Sequence, residues 1–157
     1  MKTVKAKQAY CGGIFDGEGT VAYYTDENGV LENVRLAVTM YDKAPLIILK
    51  DTLGGIISEH FRLRKEDGLF YYTWVIHGKA AIPAAKILKK NTTVKTKQLE
   101  IFIKALTKAK DYSGLGEKLP WYERKRRLEW AAAIKAEKRN WETLSKLRVS
   151  LDVEGLT

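Results

Sequence analysis

Four short runs between residues 20 and 78 alternate apolar and polar side chains, the period of two that a strand with one buried face requires. "TVAYYT" (20–25) and "VLENVRLAVTM" (30–40) flank the turn cluster "DENG", while "IISEHFRLR" (56–64) and "LFYYTWVIHG" (69–78) flank "KEDG". Each pair predicts a hairpin. The segments between them change period. Tyr10 and Ile14, then Cys11 and Phe15, recur at four-residue spacing, which predicts a helix from about Val4 to Gly17. "KAPLIILKDTLGG" (43–55) reads as a helix entered near Pro45 and stopped at Gly54-Gly55. "KAAIPAAKILKK" (79–90) and "VKTKQLEIFIKALTKAK" (94–110) predict two more. Beyond the turn-rich joint "DYSGLGEKLP" (111–120), the charged segment "WYERKRRLEWAAAIKAEKRNWETLSKL" (121–147) predicts one helix, or two broken near Asn140.

The order helix, hairpin, helix, hairpin, helix, helix implies the α+β class: a four-stranded antiparallel sheet with helices on one face, followed by C-terminal helices. A core domain over 1–112 and a basic helical extension over 113–157 are expected. Parity then sorts the strand residues. Val21, Tyr23, Val34, Leu36 and Val38 form the face that packs on helices. Tyr24, Asn33, Arg35 and Thr39 fall on the other face, with Ser58, His60, Arg62 and Arg64 on the third strand. That face is polar and cationic, and a β-ribbon bearing Arg can read guanine edges in a major groove.

Charge strengthens this reading. The chain of 157 residues carries 28 Lys+Arg against 19 Asp+Glu, a net charge of +9 that suits a polyanion, nucleic acid before a membrane surface. Much of the excess lies in residues 86–110, where Lys86, Lys89, Lys90, Lys95, Lys97, Lys104, Lys108 and Lys110 face one acid, Glu100. Lysine heads suit phosphate more than bases. The single cysteine, Cys11, excludes an internal disulfide and a cysteine zinc site. No run has the length of a membrane span or a signal-peptide core, so an intracellular protein without a membrane partner is expected.

One stretch resists the local rules. In "CGGIFDGEGT" (11–20), Gly12 and Gly13 interrupt a helix, and Asp16 and Glu18 crowd its C-terminus, where the macrodipole disfavours negative charge. Small residues permit close backbone approach, and a divalent cation would accommodate the acids. "CGGIFDGEG" resembles the LAGLIDADG motif of homing endonucleases: Gly13, Asp16 and Gly19 match its letters, Ile14 and Phe15 are apolar replacements, and Glu18 replaces the second acid. The element order matches that family over about residues 5–110.

The resemblance implies a metal-dependent endonuclease that hydrolyses both strands of a long, roughly palindromic double-stranded DNA site. It implies magnesium as the metal, no small-molecule cofactor, and a homodimer, since one motif is present. Glu18 matches the metal-binding acid, the Gly17 carbonyl a backbone ligand, and Asp16 a structural acid. Gly12 and Gly13 would lie where the motif helices of two copies meet. Cys11 and Gly12 replace the usual Leu and Ala, which implies a looser contact there. Lys95 matches a lysine beside the active site, with Lys97 as the alternative if the register slips by two. Asp42 is a candidate polar group behind the site, and equally a helix cap ahead of Pro45. Tyr24, Asn33, Arg35, His60, Arg62, Arg64 and Thr73 are the candidate base readers. The rival readings are an RNA maturase or DNA-binding regulator without cleavage, and a membrane-surface or ribosome-associated basic module.

Overall fold

The computed structural model describes residues 3–30, 32–63, 68–109 and 118–154, with side chains as far as residue 143. Arg64, Lys110 and most of the joint at 111–117 lie outside the described residues.

Helix α1 (Val4–Glu18) is capped by Thr3, whose hydroxyl accepts the Ala6 N–H at 3.3 Å, and passes directly into strand β1 (Gly19–Thr25). The turn into β2 (Glu32–Met40) is held by Asp26, whose carboxylate accepts the Val30 N–H at 2.7 Å. Helix α2 (Ala44–Leu53) has Pro45 in its first turn, where a missing N–H does no harm. Strands β3 (Ile56–Leu63) and β4 (Gly68–His77) complete the sheet. A 3-10 turn (Gly78–Ala81) precedes α3 (Ile82–Asn91), and α4 (Thr96–Lys108) follows.

The expected four-stranded antiparallel sheet is present, in the order β1-β2-β4-β3. Val38 pairs with Trp74, and Trp74 with Ile57, so one parity of every strand meets the helices. Phe15, Leu36, Leu46, Trp74, Leu88 and Phe102 are fully shielded in the resulting core. The Trp74 indole N–H is satisfied by the Gly54 carbonyl at 2.8 Å.

The segment after Pro120 forms one helix, α5 (Trp121–Glu154), and the break expected near Asn140 does not occur. No Gly or Pro lies within it, and an exposed Asn in a helix interior costs only about 0.7 kcal/mol. The helix joins the same core through Ile134. Its first turns clamp the β1–β2 hairpin: Arg127 Nη1 donates to the Val30 carbonyl at 2.9 Å, and Arg127 Nε pairs with Glu32 at 3.6 Å and Glu123 at 3.8 Å. The Tyr23 hydroxyl donates to Glu32 at 2.9 Å. Burial, then the Glu32 charge, pushes that phenol above its ordinary pKa and keeps it a donor. Gly29, at φ +68°, brings the turn so near the Arg124 carbonyl that a Cβ would overlap it.

The helix interruption at Gly12 and Gly13 divides in two. Gly12 is buried within the chain, and a Cβ there would overlap the carbonyl of Asn91 at the end of α3. The expectation that Gly12 meets a second copy is therefore corrected, because its open side is filled by α3. Cys11 is buried as well, its thiol facing the Ile48 carbonyl of α2 at 3.9 Å, so its small size adjusts the α1–α2 contact rather than a dimer contact. Gly13 is exposed, with nothing near its missing side chain. Gly12→Ala should destabilise the chain by about 1–3 kcal/mol through overpacking. Gly13→Ala, measured at protein concentrations too low for self-association, should stabilise it by about 1 kcal/mol through helix propensity. Urea unfolding of both variants checks the contrast.

Candidate active site

Asp16 and Glu18 stand two residues apart at the end of α1 and take opposite roles. Asp16 turns inward. Its carboxylate accepts the backbone N–H groups of Thr93 at 2.6 Å, Val94 at 3.1 Å and Lys95 at 3.2 Å, and its own carbonyl accepts the Lys95 ammonium at 2.6 Å. The donors lie in the bend that leads into α4 and end at its N-cap residue, Lys95, so three N–H groups accommodate the acid despite its place at a helix C-terminus. Glu18 instead is exposed and enters two concavities.

The first, about 400 Å³, brings Glu18 and Gly17 together with Lys95, with Thr20 and Tyr24 of the open sheet face, and with Lys138, Trp141 and Glu142 of α5. The second, about 560 Å³, joins Glu18 to Thr39 and Tyr41 and to Arg62 and Tyr71 across the sheet. Lys95 is half-buried. Burial lowers its pKa, the charges of Asp16 and Glu18 oppose that shift, and Lys138 reinforces it. Lys97 is exposed on the first turn of α4 and lines neither concavity. Asp42 lies just before Lys43, the N-cap of α2; its carboxylate accepts the Ala44 N–H at 2.9 Å in the turn that leads into the helix, and it lines neither concavity.

The open face is assembled as parity predicts. Tyr24 pairs with Asn33, Ala22 with Arg35, Thr39 with Thr73, and Arg62 with Leu69. The Thr39 and Thr73 hydroxyls bond to each other at 3.0 Å, and His60 stacks on Tyr71 with ring centroids 4.9 Å apart. The Arg35 Nε is shielded and has no hydrogen-bond partner among the described residues. Tyr71 and His77 share this face and were not singled out from the sequence, although counting by twos from Thr73 reaches both. The contribution of α5 had no comparable signal, since nothing local ties residues 138–142 to residue 18.

No cluster of three or more His, Cys, Asp or Glu that could hold a metal occurs among the described residues. No helix among them is long and apolar enough to cross a membrane.

No protein-family model matches the chain, and no curated protein matches it in sequence. Solved structures do match. The archaeal intron-encoded homing endonuclease I-Vdi141I, complexed with DNA, superposes with a TM-score of 0.62 at 22% identity, over 83% of each chain. The homing endonuclease I-CvuI, in complex with a DNA target left uncleaved in the presence of magnesium, superposes with a TM-score of 0.61 at 14% identity, covering 85% of this chain and 83% of its own. The fold is that of the homing endonucleases.

The burial of Lys95 has a titration consequence. Its folded-state pKa lies below the ordinary lysine value of 10.5, so the unfolded chain binds more protons in the interval beneath that value. Stability attributable to this group should therefore rise with pH across that interval. Side-chain NMR should show Lys95 losing its proton before the exposed lysines, and Asp16→Asn, which removes a charge that opposes the shift, should move that loss to still lower pH.

Proposed function

We propose that this chain is a site-specific DNA endonuclease of the LAGLIDADG homing type, acting as a homodimer on both strands of a long, roughly palindromic site. One observation carries the reading. Glu18 and Lys95 share a cavity that opens, through Thr20 and Tyr24, onto the sheet face bearing Arg35, His60 and Arg62.

The unpartnered side of α1 supports the dimer. Ala6, Ala9, Gly13 and Gly17 are exposed along it, and the side ends at Glu18. Two copies joined there would bring two Glu18 carboxylates together, one for each strand. Among the described residues, the Glu18 carboxylate and the Gly17 carbonyl are hard donors at the end of α1, with Glu142 of α5 lining the same cavity, so phosphate oxygens and water would complete a metal shell there. Such a set fits magnesium, which keeps several ligands from water and substrate. A divalent cation held there supplies charge neutralisation at phosphorus and at the leaving oxygen.

The chain's own groups do the positioning. Asp16 fixes the end of α1 against the start of α4 and so sets Lys95 beside Glu18. Lys95 offers positive charge to the phosphate as negative charge builds on it. In the hydrolysis, a water oxygen bonds to phosphorus, the bond to the leaving sugar oxygen breaks, and the proton released by water balances the one taken by that oxygen. The open face holds the duplex in register, with Arg and His at base edges and lysines of residues 86–108 available to phosphate.

Glu18→Gln should retain DNA binding and abolish cleavage, and Lys95→Ala should slow cleavage by about 100-fold. The substrate is a plasmid carrying the sequences that flank the coding region, joined without it. Undiminished cleavage by Glu18→Gln sinks the assignment, and binding without cleavage by the unaltered protein favours the regulator or maturase.

A further inference from the structure

The course of α5 determines which of its side chains reach the Glu18 cavity. β1 runs from Gly19, at the cavity, to Thr25 at the hairpin turn. That is about 20 Å at about 3.3 Å per residue. The helix is pinned at the turn end, where Arg127 bonds to Val30 and pairs with Glu32. Lys138 follows Arg127 by about three full helical turns, or about 16 Å of axis. It therefore leaves the helix on the same side as Arg127, near the opposite end of β1. With Trp141 and Glu142, its neighbours on that helix face, it lines the cavity that also holds Glu18 and Lys95.

Lys138 forms no ion pair or hydrogen bond among the described residues, although Glu18 and Glu142 line the same cavity. Lys95 already uses its ammonium on the Asp16 carbonyl, and Asp16 spends its carboxylate on backbone N–H groups. Burial is the main cause of the lowered Lys95 pKa, and the charge of Lys138 adds a smaller push in the same direction, against Asp16 and Glu18. Two ammonium groups converging on one cavity repel, and an anion between them relieves the repulsion. A phosphodiester crossing from the open sheet face past Thr20 and Tyr24 is such an anion.

We propose that Lys138 is a second phosphate-contacting residue of the Glu18–Lys95 site, supplied by α5 and stabilising the charge that develops on the scissile phosphodiester. This rests on the endonuclease reading above. Lys138 exchanges no proton; it acts as a fixed positive charge while the water oxygen bonds to phosphorus and the sugar oxygen departs.

The test compares Lys138→Met, Lys138→Gln and Lys138→Arg with Lys125→Met, which removes an exposed lysine elsewhere on α5. Single-turnover cleavage of the same plasmid is followed with magnesium and saturating full-length protein, and affinity is measured with the metal withheld. Lys138→Met and Lys138→Gln should slow cleavage by about tenfold to a hundredfold, whereas Kd should change by less than about threefold. Lys138→Arg should recover most of the rate, and Lys125→Met should match the unaltered protein. Cleavage by Lys138→Met at the unaltered rate overturns the proposal. So does a loss of affinity equal to the loss of rate, which marks an ordinary contact to a neighbouring phosphate. If the unaltered protein cleaves and Glu18→Gln does not, the endonuclease reading stands whatever Lys138 does. An unaltered protein that binds this DNA and leaves it intact rejects both.

Discussion

Asp16 accepts three successive backbone N–H groups from Thr93 to Lys95, and its carbonyl accepts the Lys95 ammonium. A carboxylate at the C-terminus of one helix is thereby matched to three N–H groups of the bend that leads into another, which offset the unfavourable field of its own helix end. The contact spans 77 to 79 residues of sequence, so it closes the fold around the sheet. It also sorts two acids of similar chemistry. Because Asp16 is committed inward, Glu18, two residues on, is carried to the exposed end where β1 begins.

The alternation along the strands was enough to foresee the sheet and its two faces, because period-two patterning is a local property tied to a global one. It placed Tyr24, Asn33, Arg35, His60, Arg62 and Thr73 on one surface without any long-range information. Gly12 shows where that kind of inference stops. A helical glycine signals close approach, but only the packing of α1 on α3 says that the approaching backbone is the chain's own Asn91. Asp42 is similar: its residue type suits a helix entry and an active-site acid alike, and the structure adds its bond to the Ala44 N–H at 2.9 Å, in the turn into α2. The path of α5 over β1 was illegible because a charged helix with a modest apolar stripe does not declare its partner. The partner is specified by Arg127, Glu123, Glu32 and Tyr23, residues scattered over more than a hundred positions.

That clamp places charged groups in an otherwise apolar junction. Glu123 is 2% exposed and Arg127 8%. Buried pairs of this kind add little net stability against an apolar alternative, yet removing one partner typically costs about 3–5 kcal/mol. Their effect is to select one seating of the helix on the hairpin among several of similar packing energy.

A rod gripped near one end and working near the other is a lever. With about 16 Å between Arg127 and Lys138, a tilt of about 5° at the grip moves the far ammonium by about 1.4 Å. A displacement of about 1 Å at a reacting centre can change a rate by about a hundredfold. The hairpin that grips the helix is also the one that carries Tyr24, Asn33 and Arg35. Substitutions in this hairpin would thus be felt at the cavity as well. A change in the surface it presents would have to be matched by a change in the C-terminal helix.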